Sequence, residues 1–144
     1  WFYGGWTTIG GLDYLALPAE DLFTVTAIPS ATDYATWNVG DIVQNGSYAF
    51  GAAAGWICKT AGTNGTALSA VTANTTSGLT AVTFSSVLNL GVGMYITIAG
   101  VAGVKKITAL TGTSGTIDSA ASATVTGGAV AYSNAVFVPT FTPV

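Results

Sequence analysis

The sequence predicts an all-β fold made of two small antiparallel β-sandwich or barrel-like modules in series, with almost no helix. Hydrophobic residues alternate with polar ones at period two in several short runs, as they do in half-buried strands. Glycine-containing turns separate these runs, and in the second half they recur about every 8 to 12 residues, a spacing typical of a small sandwich or barrel. Only residues 17–23, where a proline precedes two acids, predict a short helical turn.

Charged residues are rare in this chain. They make up 6% of its 144 residues, against roughly 25% in ordinary soluble domains. A surface with so little charge is poorly suited to a soluble monomer, so we expect an obligate homo-oligomer. The net charge of -3 and the absence of Arg argue against nucleic acid and anionic membrane surfaces as partners, because clustered Lys or Arg bind phosphate groups. The charged residues are Asp13, Glu20, Asp21, Asp33, Asp41, Lys59, Lys105, Lys106 and Asp118.

The start of the chain is not typical of a signal segment. Because it begins at Trp1 without an initiator Met, we expect it to be part of a longer polypeptide, and an enzymatic domain could then lie upstream. The longest run of small and apolar residues, 48–58, is shorter than the roughly 20 residues of a spanning helix, so membrane insertion is not expected. The single cysteine, Cys58, is predicted to be a small buried hydrophobe.

Residues 1–36 are predicted to be an aromatic N-terminal segment and linker. Trp1, Phe2, Tyr3 and Trp6 are interspersed with paired glycines, and rings at such a density are rarely left in water. We expect them to pack on an upstream domain or on a partner chain. This makes the four aromatic residues candidates for an oligomer interface.

Residues 37–78 form the predicted first β module. The segments 37–44 and 55–59 alternate around single glycines, with a Trp near the start of each, and are predicted to pair as a hairpin. Asp41 follows a glycine in a tight V-G-D turn, where its carboxylate is expected to accept backbone N–H bonds. The small polar residues at 61–78 predict loops and one weak strand.

Residues 79–133 form the predicted second β module. Short strands are expected between its glycine-containing turns. In one of them Met94, Ile96 and Ile98 share a face and are predicted to lie in the core. The predicted strands span residues 80–84, 94–99, 104–110, 115–118 and 129–132.

Residues 134–144 form a predicted extended C-terminal tail. Two prolines in this tail exclude a central strand, because proline cannot donate to a sheet ladder. The alternating Phe137 and Phe141 suggest that the tail lies along a partner surface. Both are candidates for the oligomer interface.

Two blocks of this sequence resemble modules of bacteriophage tail fibres and tailspikes. The first is W-N-V-G-D-I-V followed by G-W-I-C-K-T-A-G-T, between residues 37 and 63. The second is V-G-M-Y-I-T-I-A-G-V-A-G-V-K-K-I-T-A-L followed by T-I-D-S-A-A-S-A-T-V-T-G-G-A-V-A-Y, between residues 92 and 132. The resemblance implies the distal part of a homotrimeric tail fibre or tailspike, located in the virion and extracellular when it acts. Implied partners are other tail or virion proteins and host surface polysaccharide.

No catalytic residue is predicted. The chain has no His, which removes the commonest general base, the Ser–His and Cys–His pairs and the usual zinc ligands. Paired carboxylates are the one catalytic possibility, because glycoside cleavage needs two acids about 5 to 10 Å apart. Glu20, Asp21 and Asp13 are close in sequence, but such residues more often stabilise turns and helix ends. No metal or cofactor is expected, since the carboxylates do not cluster.

Exposed aromatic rings are the candidates for binding, since sugars stack their apolar faces on such rings. Tyr48 and Phe50 lie in a loop of small residues, N-G-S-Y-A-F-G, and are the best candidates for contact with a carbohydrate. Trp56 is a third candidate, although a Trp that opens a strand is more often in the core or at a subunit interface.

The sequence therefore predicts a passive structural protein of a phage tail rather than an enzyme. It would contribute trimerisation and attachment to host surface polysaccharide. Two alternatives stay open. The chain could belong to a polysaccharide-degrading tailspike whose active site lies elsewhere, or it could be another virion structural protein, such as a capsid decoration or a tail-tube subunit.

Overall fold

The computed structural model describes residues 5–9, 12–16, 24–25, 35–46, 49–65, 68 and 70–140, with side chains described from residue 35 onward. Within these ranges the chain forms β-strands and no helix. The all-β prediction is confirmed. The helical turn predicted at 17–23 lies outside the described residues.

The strands are β1 (Gly5–Ile9), β2 (Leu12–Ala16), β3 (Thr24–Val25), β4 (Ala35–Trp37), β5 (Ile42–Asn45), β6 (Gly55–Thr60), β7 (Gly62–Asn64), β8 (Thr72–Thr75), β9 (Ala81–Phe84), β10 (Tyr95–Ile98), β11 (Lys105–Thr111), β12 (Ser114–Ile117), β13 (Val125–Tyr132) and β14 (Val136–Pro139).

The chain divides into two compact units. The first contains Trp1–Ile28, Ile42–Ile57 and Val138–Val144, and the second contains Pro29–Asp41 and Cys58–Phe137. The chain therefore passes between the units more than once, whereas the sequence predicts two modules in series. Strand pairing explains the difference, because strands far apart in sequence can join one sheet and local periodicity does not specify the partner.

The second unit contains a closed barrel whose strand order is β10-β11-β12-β9-β8-β13. Strand β10 shows how the sequence forms this barrel. Ile96 and Ile98 are buried, while Tyr95 and Thr97 on the other face are partly exposed, as side-chain alternation requires. Met94 is partly buried and packs against the same core. The predicted core face of this strand is confirmed.

The barrel core consists of aliphatic side chains around one aromatic ring. Phe84 of β9 is 2% exposed, and Ile96 and Ile107 are 0% exposed. Outward positions instead carry short side chains, such as the exposed Ala81 and Thr83 of β9. The other core members are Val71, Ala73, Val82, Ile98, Val101, Ile117, Ala121 and Val130.

Antiparallel pairing places alternate loops of the barrel at opposite ends. At one end Ala121 N donates to Leu79 O at 2.8 Å, and Ala102 N donates to Ser122 Oγ at 2.7 Å. We call this the hairpin end and its opposite the long-loop end. The hairpin end carries residues 76–80, 99–104 and 118–124, and the long-loop end carries residues 85–94, 112–113 and 133–135.

Strand β8 belongs to the barrel, although it precedes residue 79, where the second module is predicted to start. Its residues Ala73 and Thr75 are buried, and Thr75 Oγ1 donates a hydrogen bond to Ala123 O at 2.9 Å. An Ala and a Thr as the inward residues produce little hydrophobic alternation. The sequence of this strand therefore predicts mainly loop.

Strands β4 and β7 form a two-stranded sheet in the second unit, with Trp37 opposite Gly62. The Trp37 ring meets the Phe137 ring edge-on at a centroid distance of 5.2 Å. The segment 37–44, predicted as one strand, is divided between β4 and β5. The division lies at Gly40, whose φ of 96° is incompatible with a continuous strand.

A four-stranded sheet has the order β14-β6-β5-β3. Its β5 and β6 pair antiparallel, with Val43 opposite Trp56, which confirms the predicted hairpin pairing for this part of the chain. Strand β3 pairs parallel to β5. Separately, β1 and β2 pair antiparallel, with Trp6 opposite Leu15.

Candidate binding surface

The two described aspartates of the second unit accept hydrogen bonds from backbone N–H groups, Asp41 within a turn and Asp118 from the adjacent strand β11. Asp41 Oδ2 accepts a hydrogen bond from Asn38 N at 2.7 Å, and Asp41 N donates to Asn38 O at 3.1 Å. Asp118 Oδ1 likewise accepts from Lys106 N at 3.0 Å. The turn-capping role predicted for Asp41 is confirmed.

The remaining acids of the sequence analysis are not brought together in the described structure. Glu20, Asp21 and Asp33 lie outside the described residues, and Asp13 lies in β2, opposite Thr8. Among the residues that the structure describes, no group of three or more His, Cys, Asp or Glu is placed to hold a metal ion. The same part of the chain contains no helix of the length and apolar character that membrane crossing requires.

Cys58 is a buried thiol in β6. It is 1% exposed, which confirms the predicted burial, and its Sγ donates to Thr60 O at 3.2 Å. Burial raises the pKa of this thiol, the Asp41 charge raises the pKa further, and the bond to Thr60 lowers it. The thiolate, which is the reactive form, is therefore disfavoured in the folded chain.

We expect iodoacetamide to modify Cys58 at pH 8 more slowly in buffer than in urea, by about tenfold or more. Equal alkylation rates in buffer and in urea would contradict the burial.

The raised pKa of Cys58 also means that the folded state holds the thiol proton more tightly than the unfolded state does. This contribution to stability is complete below the ordinary thiol pKa and is lost as pH rises above about 8.5. Urea unfolding measures the free energy of unfolding at pH 7 and at pH 10. The decrease between these two pH values should be smaller for Cys58→Ala than for the wild type.

The loop between β5 and β6 presents an isolated aromatic ring. Phe50 is 83% exposed, so its ring is available to a ligand. The loop is closed at its base by Asn45, whose Nδ2 donates to Ala53 O at 2.9 Å and whose N–H donates to Ala54 O at 3.0 Å. A turn bond from Ala52 N to Ala49 O at 2.9 Å holds the tip. The exposure predicted for Phe50 is therefore present in the structure.

The other two carbohydrate candidates differ from Phe50. Tyr48 lies outside the described residues. Trp56 is only 7% exposed and lies opposite the fully buried Val43, so its face is not open for a sugar to stack on. The prediction of Trp56 as a carbohydrate contact is corrected: at this strand position the ring contributes to the core.

A cavity of about 330 Å³ lies beside the base of this loop in the first unit. Ile42 and Gln44 are exposed on the same face of β5, and Thr140 also lines the cavity. Thr140 N and Thr140 Oγ1 donate to Gly55 O at 2.9 and 3.1 Å. The cavity is lined by Ile42, Gln44, Ala54, Gly55 and Thr140.

The lining groups of this cavity are neutral. Gln44 offers an amide that can both donate and accept hydrogen bonds, and Ile42, 59% exposed, offers an apolar surface. Such a combination suits an uncharged polar ligand better than an ion. Sequence reasoning did not identify Gln44 or Thr140, because their proximity depends on long-range pairing. The available signal in the sequence was the spacing of Ile42 and Gln44, which are two residues apart and therefore share one face of a strand.

A second cavity, of about 220 Å³, lies in the second unit. Its polar groups already have partners: Thr36 Oγ1 and Thr63 Oγ1 are 3.0 Å apart, and Thr63 Oγ1 accepts from Tyr95 N at 2.8 Å. Asn64 Oδ1 accepts from Ala135 N at 2.9 Å. These bonds join β7 to neighbouring segments and explain why polar residues are buried there. The lining consists of Ala35, Thr36, Thr63, Asn64, Met94 and Tyr132.

The loop that carries Phe50 and the cavity beside Gly55 are the features that best fit a ligand. Comparison with protein families, curated proteins and solved structures gives no match for this chain. Function is therefore inferred from these residues and from the surface of the barrel.

For most candidates of the oligomer interface the structure does not describe the side chain. Trp1, Phe2, Tyr3 and Phe141 lie outside the described residues, and Trp6 is described only through its backbone pairing in β1. Phe137 is 9% exposed and packs on Trp37. Its prediction as an interface residue is corrected, because its ring is already covered within its own chain.

Proposed function

We propose that this chain is a structural module of a bacteriophage tail fibre or tailspike, assembled as a homotrimer in the virion. It would contribute trimerisation and attachment to host surface polysaccharide. The observation that carries this proposal is the outer wall of the barrel, where exposed positions such as Ala81, Thr83 and Ser114 bear short uncharged side chains. A wall of this kind allows copies to pack closely without burying charge.

The few charges of the barrel are engaged with their own chain. Residues 60–140 contain three charged residues, Lys105, Lys106 and Asp118. Lys105 is 6% exposed, and its Nζ donates to Ser119 Oγ at 3.0 Å and to Ala120 O at 3.1 Å. Lys106 Nζ lies 5.0 Å from the centroid of the Tyr95 ring. Little free charge is left to oppose association, which supports an oligomer.

The oligomeric state of the purified chain tests the proposal. Light scattering after size-exclusion chromatography, and sedimentation velocity over a range of concentrations, should give three copies. Electron microscopy of virions labelled on this protein should place it on a tail fibre or tailspike. A stable monomer at all concentrations would contradict the proposal.

The same experiments separate the alternatives. Six copies in a ring and a position along the tail would favour a tail-tube subunit, and a position on the head would favour a capsid decoration. Release of oligosaccharides from capsule polysaccharide by the purified chain would favour an enzyme. In that case an unchanged rate in Asp41→Asn would show that this turn aspartate is not part of its active site.

Polysaccharide attachment is supported by the exposed Phe50 ring and the neutral cavity beside Gly55. Both lie in the first unit. Phe50 offers an apolar ring face and the cavity offers an uncharged hydrogen-bonding group, and together these are the groups that recognise sugars. A single site of this size would bind weakly. Three copies on one fibre would raise the avidity by about 10² to 10⁴ when they engage together.

Replacement of Phe50 by Ser is expected to lower retention on immobilised host surface polysaccharide by about tenfold. The matched control is Leu79→Ser, which removes an apolar side chain, 53% exposed, from the hairpin end of the barrel. Retention is measured by surface plasmon resonance with the oligomeric protein. Equal retention of both variants would argue against Phe50 as a sugar contact.

A further inference from the structure

The cavity beside Gly55 contains two polar side chains with hydrogen-bonding capacity left for a ligand. Among the residues that the structure describes, the side-chain amide of Gln44 has no partner, so its Nε2 can donate and its Oε1 can accept. Thr140 Oγ1 donates its proton to Gly55 O at 3.1 Å and can therefore only accept a further bond. The cavity thus offers one donor site, on Gln44, and two acceptor sites, on Gln44 and Thr140.

These two side chains lie on either side of Gly55. Gln44 of β5 is opposite Gly55 of β6, and Thr140 follows β14, which neighbours β6 on its other side. Neighbouring strands are about 4.8 Å apart, so the backbones at Gln44 and Thr140 are about 10 Å apart. The cavity volume of about 330 Å³ is at the lower end of small-molecule sites, roughly 300 to 1,000 Å³. A single sugar residue can therefore contact both side chains.

The charge of the first unit selects among sugars. Its charged residues are Asp13, Glu20 and Asp21, and all of them are acidic. A uronic acid or another anionic sugar would lose its hydration in the cavity and gain no counter-charge. It would also meet the oxygen of Thr140, whose proton is already donated to Gly55 O. The cavity therefore fits a neutral sugar.

An apolar side chain lies next to the amide of Gln44. Ile42 is 59% exposed and shares a face of β5 with Gln44, about 7 Å away along the strand. Ala54 adds a methyl group to the same lining. A hydroxyl group of a plain sugar would leave this apolar surface in water. An acetamido group would cover it with its methyl, while its carbonyl accepts from Gln44 Nε2 and its N–H donates to Thr140 Oγ1.

We propose that the cavity beside Gly55 binds a neutral sugar residue that carries an acetamido group, and that Gln44 and Thr140 determine this specificity. The inference rests on the proposed function, since it names the class of polysaccharide that the first unit recognises. The acetamido group pairs with a donor and an acceptor of the cavity and also buries a methyl group. A site that hydrogen-bonds one substituent rejects analogues that leave its polar groups unpaired.

Titrations of the purified chain with matched sugars test this specificity. N-acetylglucosamine is compared with glucose, N-acetylgalactosamine is compared with galactose, and glucuronic acid is the anionic probe. Saturation-transfer difference NMR measures binding and reports which ligand protons lie nearest to the protein. We expect at least one N-acetylated sugar to bind about tenfold more tightly than its plain counterpart, with the strongest transfer to the acetamido methyl. Glucuronic acid should show no binding.

Gln44→Glu and Thr140→Val test the two named residues. Each variant keeps the shape of the side chain, but the first removes the amide donor and the second removes the hydroxyl acceptor. Either change is expected to lower the affinity for the N-acetylated sugar by about fivefold. Thr140→Ser, which keeps the hydroxyl, should retain the affinity. The matched control is Thr83→Val, the same change at an exposed threonine of the barrel wall, which should bind like the wild type.

Far-UV circular dichroism checks that each variant is folded, and Gln44→Met replaces Gln44→Glu if that variant does not fold. Equal affinities for N-acetylated and plain sugars would overturn the inference, as would a preference for glucuronic acid or the absence of binding by every probe. Wild-type affinity in both Gln44→Glu and Thr140→Val would overturn it as well. None of these results bears on trimeric assembly in the virion. Conversely, a monomeric chain that binds the N-acetylated sugar would overturn the proposed function and leave the specificity of the cavity intact.

Discussion

Replacing Phe84 with Ala is expected to lower the free energy of unfolding of the second unit by about 3 to 5 kcal/mol. Phe84 is 2% exposed and is the aromatic ring of the barrel core. Its backbone N–H donates to Thr113 O at 2.8 Å, so the surrounding strands cannot easily close the space that the ring leaves. The lost transfer free energy and the cavity both destabilise the variant. Urea unfolding followed by far-UV circular dichroism measures the change.

Phe50→Ala is the matched control, because it deletes the same ring from a surface loop. Phe50 is 83% exposed, and surface substitutions of this kind change stability by less than about 0.5 kcal/mol. Similar unfolding midpoints for the two variants would contradict the assignment of Phe84 to the core. A large effect of Phe50→Ala would show that its ring is covered.

Replacing Gly62 with Ala is expected to destabilise the second unit by about 3 kcal/mol, at the upper end of the range for overpacking. Gly62 lies in β7, opposite Trp37, and a Cβ atom there would overlap the backbone of Ser133, Asn134 and Ala135. Backbone atoms cannot rotate away as a side chain can. Strand β7 would have to move, which would also break the 2.7 Å bond from Thr63 N to Ser133 O.

Gly91→Ala is the control for this prediction. A Cβ at Gly91 would have its nearest contact with Met94 Cε at 3.6 Å, an ordinary van der Waals distance to a flexible side chain. We expect a change of less than about 0.5 kcal/mol. The measurement is again urea unfolding of both variants. An equal loss in both would mean that conformational freedom of glycine, rather than the close approach at Gly62, decides the effect.

The sequence predicted those features that depend only on residues close together in the chain. The V-G-D turn and the carboxylate that stabilises it follow from a glycine beside Asp41, and the bond from Asn38 N to Asp41 Oδ2 at 2.7 Å has that origin. The exposure of Phe50 was predictable as well, because small residues on both sides of it cannot build a core around a ring.

Sequence reasoning failed where distant segments meet. Trp56 and Phe137 were assigned to ligand and partner contacts, but Trp56 is 7% exposed and Phe137 is 9% exposed. The cavity beside Gly55 includes Thr140, which is 85 residues away in the chain. No local pattern specifies such a contact, since it is created only when β14 joins the sheet of β5 and β6.

The sequence by itself determined that this protein is all-β and which residues of a strand such as β10 face the core. Side chains alternate along a strand, so a period of two in hydrophobicity fixes the two faces. The tertiary structure alone decided which strands distant in sequence pair, that β8 completes the barrel, and that Leu88 and Val92 are left exposed in the loop between β9 and β10. Pairing depends on the long-range packing of whole strands, and the same alternating pattern is compatible with several partners.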